Sequence, residues 1–381
     1  MLLDSNDENV HEPMYPLGIQ VCCNCGLIQL THFVEPNEMF THYLYVPSTA
    51  KTMVAHFAEL ADEALEKTST KPGERVVDIG SNDGTLLKAF KKRGMDVLGI
   101  DPAENLVSQA NANGILSIAT FFGLETAERI VDEYGYIKLI TGTNVMAHVP
   151  NANGFVAGIK TLLAPNGSFV AEFPYGLELL KGLEFDTVYH EHVFYFTVRP
   201  LIALFARHGL VIYHIDRLSV HGGSLRIFVR HKGRFTEDSS VMTLLEEERA
   251  YGLSTLKPLM KFQGQVQAVR ERLCQFLDEQ VLDGKKVVGY GAPAKATVLL
   301  NYCVVTREQL PLVVDSVPLK WGKWIPGVRI PIYPESEFLG LHADIGLIFP
   351  WNFVPEITAK NSDFVRLGGK FVVALPELHY V

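Results

Sequence analysis

Short apolar runs, glycine turns and amphipathic stretches alternate along this chain. Residues 75–79 are an apolar run long enough for a buried strand, and residues 80–84 (GSNDG) form a tight turn. Residues 85–93 then carry Leu86, Leu87 and Phe90 on one helical face, Gly94 ends that helix, and residues 95–100 form a second apolar strand closed by Asp101. Strand, turn, helix and strand within about 30 residues make one βαβ unit, whose ligand lies at the carboxyl end of the strands. The alternation continues with helices over 105–112, 125–134, 155–163 and 200–209 and strands over 116–119, 137–141 and 168–173. Pro165-Asn166-Gly167 reads as a turn, and residues 51–66 as an amphipathic helix leading into the unit. Residues 40–50 read as extended, with Tyr43 and Tyr45 alternating across the segment as packing residues. Strands over 210–216 and 224–230 flank the turn at Gly222-Gly223, which points His221, Ser224 and Arg226 toward one edge. A long charged helix over 237–280 precedes a new α/β pattern, with strands over 285–290, 313–315, 345–349 and 369–374.

The chemistry of the first turn follows from its residue types. Gly80 and Gly84 lack Cβ and let a ligand approach the backbone, and the N–H groups at the helix start can hold a polar group. Asp101 falls where an acid accepts bonds from a ribose diol. A dinucleotide and S-adenosylmethionine both use this geometry. A dinucleotide turn reads G-x-G-x-x-G, whereas here Asp78-x-Gly80-x-x-x-Gly84 carries acids before each glycine, Asp78 and Asp83. Acids repel a pyrophosphate and suit the cationic methionyl end of S-adenosylmethionine. The stretch, with Ser81 and Asn82 in the turn, resembles the first motif of class I methyltransferases. A nicotinamide oxidoreductase is the main competitor.

Composition narrows the class. A chain of 381 residues holds two or three domains, and 48% hydrophobic with 20% charged residues gives full cores. The formal charge of -9, with no basic stripe visible along the sequence, argues against nonspecific nucleic-acid binding. No apolar run approaches membrane-spanning length, so a cytoplasmic enzyme with no membrane partner is expected. Five cysteines make no disulfide framework, but Cys22-x-x-Cys25-Gly26 has the shape of one zinc knuckle. A structural site needs four ligands, and His11 is a poor substitute. The pair is either a zinc half-site or two reduced thiols.

Three further places carry candidate chemistry. Phe121 or Phe122, after the third strand, is placed either to stack on adenine or to pack in the core. Asn144 and His148 lie in the loop that follows the fourth strand, the place where the class I methyltransferases it resembles meet the methyl donor. Tyr189-His190-Glu191-His192 is the densest polar cluster, open to acid–base work, an ordinary polar loop or metal binding, although no H-E-x-x-H spacing is present. Gly289-x-Gly291 opens the next helix, and Lys295 there makes a phosphate cradle.

Taken together, eight stretches resemble the sugar-nucleotide C-methyltransferases that make branched deoxysugars. They are YPLGIQVCCNCGLIQL, the Tyr43 segment, VVDIGSNDGTLL, NVMAHV, YHEHVFYF, HGGSLR, GYGAPAKATVLLNYC, and DSVPLKWGKWIPGVRIPI with PWNF, in family order over residues 15–381. The resemblance implies an α/β chain. A partial zinc-ribbon module spans 1–45, and a class I methyltransferase Rossmann-like domain 46–235. A helical connector spans 236–283, and a Rossmann-like nucleotide-sugar-binding domain 284–381. Only the second cysteine pair of the family's zinc module is present. The implied acceptor is a nucleotide-linked 4-keto-deoxysugar, methylated on the carbon beside the ketone. The family's catalytic positions fall on Tyr43, His148, Tyr189, Glu191 and His192, with His192 the base. Asp78, Gly80, Ser81, Asn82, Gly84, Asp101, Phe121 and Asn144 are expected to hold the donor. His221, Ser224, Arg226, Gly291 and Lys295 are expected to hold the acceptor. Competing expectations are sugar O-methylation and a keto-sugar oxidoreductase. The pattern fixes no oligomeric state, although the long helices could mediate association.

Overall fold

In the computed structural model of the chain, residues 2–4, 12–41, 43, 46–233, 238–253 and 255–381 are described, and His221 by its backbone only. His11, Tyr45 and the side chain of His221 therefore lie outside the described residues. The chain divides into two compact units. One comprises residues 19–176 and 191–254, the other residues 1–18, 177–190 and 255–381.

The first unit opens with a small ribbon, β1 (Ile19–Val21) against β2 (Ile28–Leu30), followed by a short helix α1 (Pro36–Phe40). Residues 40–50 are not one extended segment. Pro36 and Pro47 start a helix and a 3-10 turn (Pro47–Thr49), because proline presets the helical φ. Helix α2 (Lys51–Thr68) leads into the βαβ unit β3 (Arg75–Ile79), α3 (Thr85–Lys92) and β4 (Asp96–Asp101). Next come α4 (Glu104–Ala112), β5 (Ser117–Ala119), α5 (Leu124–Tyr134), β6 (Ile137–Thr143), α6 (Ala152–Leu162) and β7 (Leu163–Pro174). Pro165-Asn166-Gly167 belongs to β7 and is no turn. Ile137 pairs with Leu163 and Leu139 with Ser168, so the extra residues bulge out of the ladder.

After α7 (Gly176–Lys181) and the 177–190 excursion, β8 (Phe194–Tyr195) adds to β2. Helix α8 (Val198–Arg207), β9 (Leu210–Leu218), β10 (Ser224–His231) and α9 (Ser239–Tyr251) complete the unit. The central sheet runs β5-β4-β3-β6-β7-β10-β9, parallel except for β10. Phe57, Leu60, Ala61 and Ala64 of α2 pack with Leu86, Leu87 and Phe90 of α3 over Val76, Val97, Leu139 and Val170 of the sheet. The apolar spacing read in those helices is thus the core face.

The expected helix over 237–280 is interrupted where the chain leaves the first unit for the second. Gly252 takes a left-handed conformation that caps α9, and Pro258 stands at the start of α10 (Lys257–Leu282). Strand β11 (Val287–Tyr290), α11 (Ala294–Cys303), β12 (Val313–Asp315), β13 (Trp324–Ile325), β14 (Ile330–Pro334) and β15 (Ile345–Ile348) follow. Helices α12 (Val354–Lys360) and α13 (Ser362–Arg366), then β16 (Lys370–Val373) and β17 (His379–Tyr380), end the chain. The sheet order is β13-β14-β12-β11-β15-β16-β17, with five parallel strands and an antiparallel strand at each edge.

The two glycines of the first turn are needed for a different reason than ligand approach. Gly80 and Gly84 have φ of +72° and +75°, and a Cβ on either would stand 2.9 Å from Val145 or Ile115. Protein fills that space. Gly73 is also left-handed at φ +89° but has nothing within 4 Å of its would-be Cβ. We expect Gly73→Ala to cost about 1 kcal/mol for the backbone alone, and Gly84→Ala roughly 1–3 kcal/mol more for the overpacking. Denaturant titration of the two variants checks the difference, and equal losses would remove the packing argument.

Candidate active site

The carboxyl ends of β3 and β4 build the first half of the site. The N–H groups of the turn are consumed internally: Gly80 and Ser81 donate to the Ile100 carbonyl at 2.8 and 3.1 Å, and Gly84 to that of Ser81 at 2.9 Å. Asn82 N–H donates to Asp101 Oδ2 at 2.8 Å and Asp83 N–H to Asn82 Oδ1 at 2.8 Å. This corrects the expectation that these donors are open to a ligand. What the turn offers is negative charge. Asp78, Asp83 and Asp101 are all buried. Burial and the nearby Asp101 push Asp78 up to about 7, against the Thr141 hydroxyl that donates to it at 2.7 Å. Burial also raises Asp101, opposed by the N–H groups of Ala103 and Asn82. Carboxylates held this way are stabilised by a cation, which fits a sulfonium and ammonium donor and opposes a pyrophosphate. Phe122 packs edge-on against Phe155 at 5.3 Å, while Phe121 is exposed, so of the two rings Phe121 is open to a ligand.

The loop after β6 carries Asn144, left-handed at φ +54°, with its N–H bonded to the Glu172 carbonyl at 2.7 Å. His148 follows. Its ring stacks on Phe40 at 5.6 Å and lies 5.1 Å from that of His192. Burial and the neighbouring His192 push the His148 imidazole well below the usual range, so it is neutral near pH 7. Tyr43 donates its hydroxyl to Glu191 Oε2 at 2.8 Å, and Asn105 of α4 clasps the Tyr43 backbone at 2.9 and 3.3 Å. Burial raises the Glu191 carboxyl, and Tyr43 opposes that shift. Tyr43, His148, Glu191 and His192 are therefore gathered in one unit, although Tyr43 reads as packing by pattern alone. Tyr189, half-buried, falls in the other unit with residues 177–190.

Three acceptor expectations change. Arg226 is buried, its Nε donating to Glu172 Oε1 at 2.5 Å and its Nη1 to Glu63, so both edges of the guanidinium are taken by protein. Ser224 is buried and donates to the Val220 carbonyl at 3.0 Å. The phosphate cradle at Gly291 and Lys295 is likewise occupied by the chain. Gly291 N–H donates to the Val314 carbonyl and Ala292 N–H to Asp315 Oδ2, each at 2.7 Å. Lys295 Nζ sits 3.8 Å above the Trp351 ring and donates to Asn352 Oδ1 at 3.2 Å. Burial lowers its pKa, opposed by Asp186 and Glu184, and those carboxylates would repel a phosphate.

Cys22 and Cys25 form a knuckle closed by Gly26 N–H to the Cys22 carbonyl at 2.8 Å and Cys22 N–H to the Leu27 carbonyl at 2.9 Å. Among the described residues no three metal-ligating side chains gather, so two thiols alone do not make a structural zinc site. His56 and Glu172 are not among the sequence-predicted residues. A carboxylate inside the apolar run of β7 is the signal that points to them.

The C-methyltransferase NovU of Streptomyces niveus is 37% identical over 377 residues, covering 99% of this chain and 90% of that protein. This chain belongs to the C-methyltransferase family. Family models match a methyltransferase domain over residues 51–215 and a C-methyltransferase C-terminal domain over 219–376. A third, described as "Putative zinc binding domain", matches residues 1–40. The ubiquinone biosynthesis O-methyltransferase of Bordetella avium is 30% identical over 104 residues, 27% of this chain and 43% of that one. The PH0226 protein from Pyrococcus horikoshii OT3 aligns with a TM-score of 0.41 and 15% identity, over 52% of this chain and 97% of that one. The C-methyltransferase uses S-adenosylmethionine as methyl donor, on a class I methyltransferase fold with a second C-terminal domain. Among the described residues no helix is long and apolar enough to cross a membrane.

A cationic donor held at this turn would meet the raised Asp78 pKa as a pH dependence of its binding. A cation favours the ionised carboxylate, so binding releases a proton when Asp78 is partly protonated. S-adenosylmethionine affinity is expected to climb between pH 6 and 7.5 and flatten above (range from the raised value of about 7). Calorimetry in buffers of different ionisation enthalpy measures the released proton. Asp78→Asn should abolish the release, and a release unchanged in that variant would assign it elsewhere.

Proposed function

We propose that the acceptor of this C-methyltransferase is a nucleotide-linked 4-keto-deoxysugar, methylated on C3 beside the ketone, with His192 as base. Carbon is a poor nucleophile toward a sulfonium methyl. A ketone next to the carbon acidifies its proton and yields an enolate. The observation that carries the reading is the pairing of two imidazoles, one held neutral, in a site that also gathers a carboxylate and a phenol.

Each residue has a role in that chemistry. His192 takes the C3 proton. His148, neutral and 5.1 Å away ring to ring, keeps a fixed positive charge from forming beside it. Glu191, oriented by the Tyr43 hydroxyl, holds the sugar by accepting from the sugar's hydroxyls. Asp78, Asp101, Phe121 and Asn144 line the donor site, and the donor supplies an electrophilic methyl group there. Positioning of the two reactants supplies much of the rate, and a general base contributes about 10²–10⁴-fold. The eight resembling stretches support the nucleotide-sugar class, and the charge of -9 supports a small-molecule acceptor over a nucleic acid.

Mass spectrometry in deuterated buffer tests the reading, with S-adenosylmethionine and a panel of nucleotide-linked 4-keto-6-deoxysugars. The expected product gains one methyl and loses the C3 hydrogen. A methyl gained with that hydrogen retained moves the assignment to oxygen. His192→Asn should lose turnover and C3 exchange together, by at least about 10²-fold, while donor affinity survives. Turnover retained in that variant would take His192 out of the mechanism.

A further inference from the structure

A third imidazole stands at the carboxyl edge of the same sheet. His56 lies in the second turn of α2, with its Nε2 2.7 Å from Glu172 Oε2. Glu172 pairs in register with Thr143 at the carboxyl end of β6, and its carbonyl holds Asn144. The dyad therefore sits on the edge that carries the glycine turn and the His148 loop. The His56 side chain is 11% exposed and that of Glu172 3%. Arg226 braces the far oxygen of Glu172, and Glu63 of α2 links Arg226 to Lys67, which it meets at 2.9 Å. Burial alone would raise the Glu172 carboxyl, but His56 and Arg226 reverse the shift and leave it below the usual range. An ionised carboxylate thus fixes a proton on His56 Nε2, and Nδ1 has no partner among the described residues. A carboxylate that fixes one ring nitrogen and leaves the other available is the arrangement of a working acid–base histidine.

We propose that His56, oriented by Glu172, is a second acid–base residue of the methyl-transfer site and serves the ketone oxygen of the acceptor while His192 serves its carbon. The proposal rests on the enolate reading above. The C3–H bond breaks and its proton goes to His192. The C–H pair becomes the C3–C4 double bond, and the carbonyl π pair moves to oxygen, which takes a proton from protonated His56 Nδ1. As the new C–C bond forms, the S–CH3 pair stays on sulfur, the carbonyl reforms and the proton returns to His56. His192 then passes its proton to water. His148 is unsuited to the oxygen's role, since burial and His192 keep it unprotonated.

His56→Gln tests this, because the longer amide can still donate to Glu172. We expect kcat and C3 washout to fall together by about 10²–10³-fold, with S-adenosylmethionine affinity within about threefold of wild type. Added imidazole should restore part of the turnover. Turnover within about threefold of wild type, or a loss that imidazole does not rescue, overturns the proposal and leaves His56 a brace for Glu172. Wild type assayed alongside separates the two readings. No C3 washout in wild type counts against the enolate, whereas washout that His56→Gln retains counts against His56 alone.

Discussion

Glu172 is an ionised carboxylate buried in a central strand, and the carboxyl edge of the first unit's sheet depends on it. Its two oxygens hold His56 and Arg226, and its carbonyl holds Asn144 in a left-handed conformation. Removing one partner of a buried pair of this kind costs roughly 3–5 kcal/mol, because the other charge is left without compensation. The charge is tolerable only because an arginine from β10 and an imidazole from α2 converge on it. That convergence fixes the antiparallel end of the sheet against α2 and, through one backbone bond, the loop that leads to His148. Stability and the course of the loop after β6 are thus tied to the same carboxylate.

The glycine turn shows the complementary strategy. Its N–H groups are spent on the Ile100 and Ser81 carbonyls and on the Asp101 and Asn82 side chains, so the turn is closed by internal bonds. The remaining chemical signal is a set of buried acids, one raised to about 7. An internally bonded turn with this negative bias suits a cationic ligand. The same topology with free donors and neutral residues would select a pyrophosphate.

Much of this fold is legible in the sequence, for physical reasons that also explain what is not. The βαβ unit reads clearly because its strands are buried on both faces and its helix carries one apolar stripe. The turn at Gly80 to Gly84 is legible as a turn, but the neighbours that exclude a Cβ, Val145 and Ile115, lie 65 and 31 positions along the chain, and only folding brings them there. Pro165-Asn166-Gly167 has turn chemistry and becomes a bulge because the ladder with β6 resumes on its far side. In the site, the Tyr189 to His192 cluster is visible as adjacent polar residues. The neutrality of His148 is not, since it arises from burial and from His192, 44 positions away. Arg226 reads as an exposed binding residue because sequence does not say that Glu63 and Glu172 will meet it.

Lys295 makes the same point about the second unit. A lysine at a glycine-turn helix start invites a phosphate, and that inference depends on the lysine being the dominant charge. Here burial lowers the Lys295 pKa against the opposing Asp186 and Glu184, and both acids are themselves shifted up, to about 6 and about 7, burial being the main cause. Trp351 donates to Asp186 Oδ2 at 2.8 Å and offers its ring face to the Lys295 ammonium. The cluster therefore binds residues 184–187 to the start of α11 and the loop after β15. Residues 184–187 run directly into Tyr189 and, in the other unit, Glu191 and His192. A Rossmann-like unit whose glycine turn is spent on its own carboxylates has given up phosphate binding at that place. In exchange it fixes residues 184–187 against α11 and the loop after β15 within its own unit.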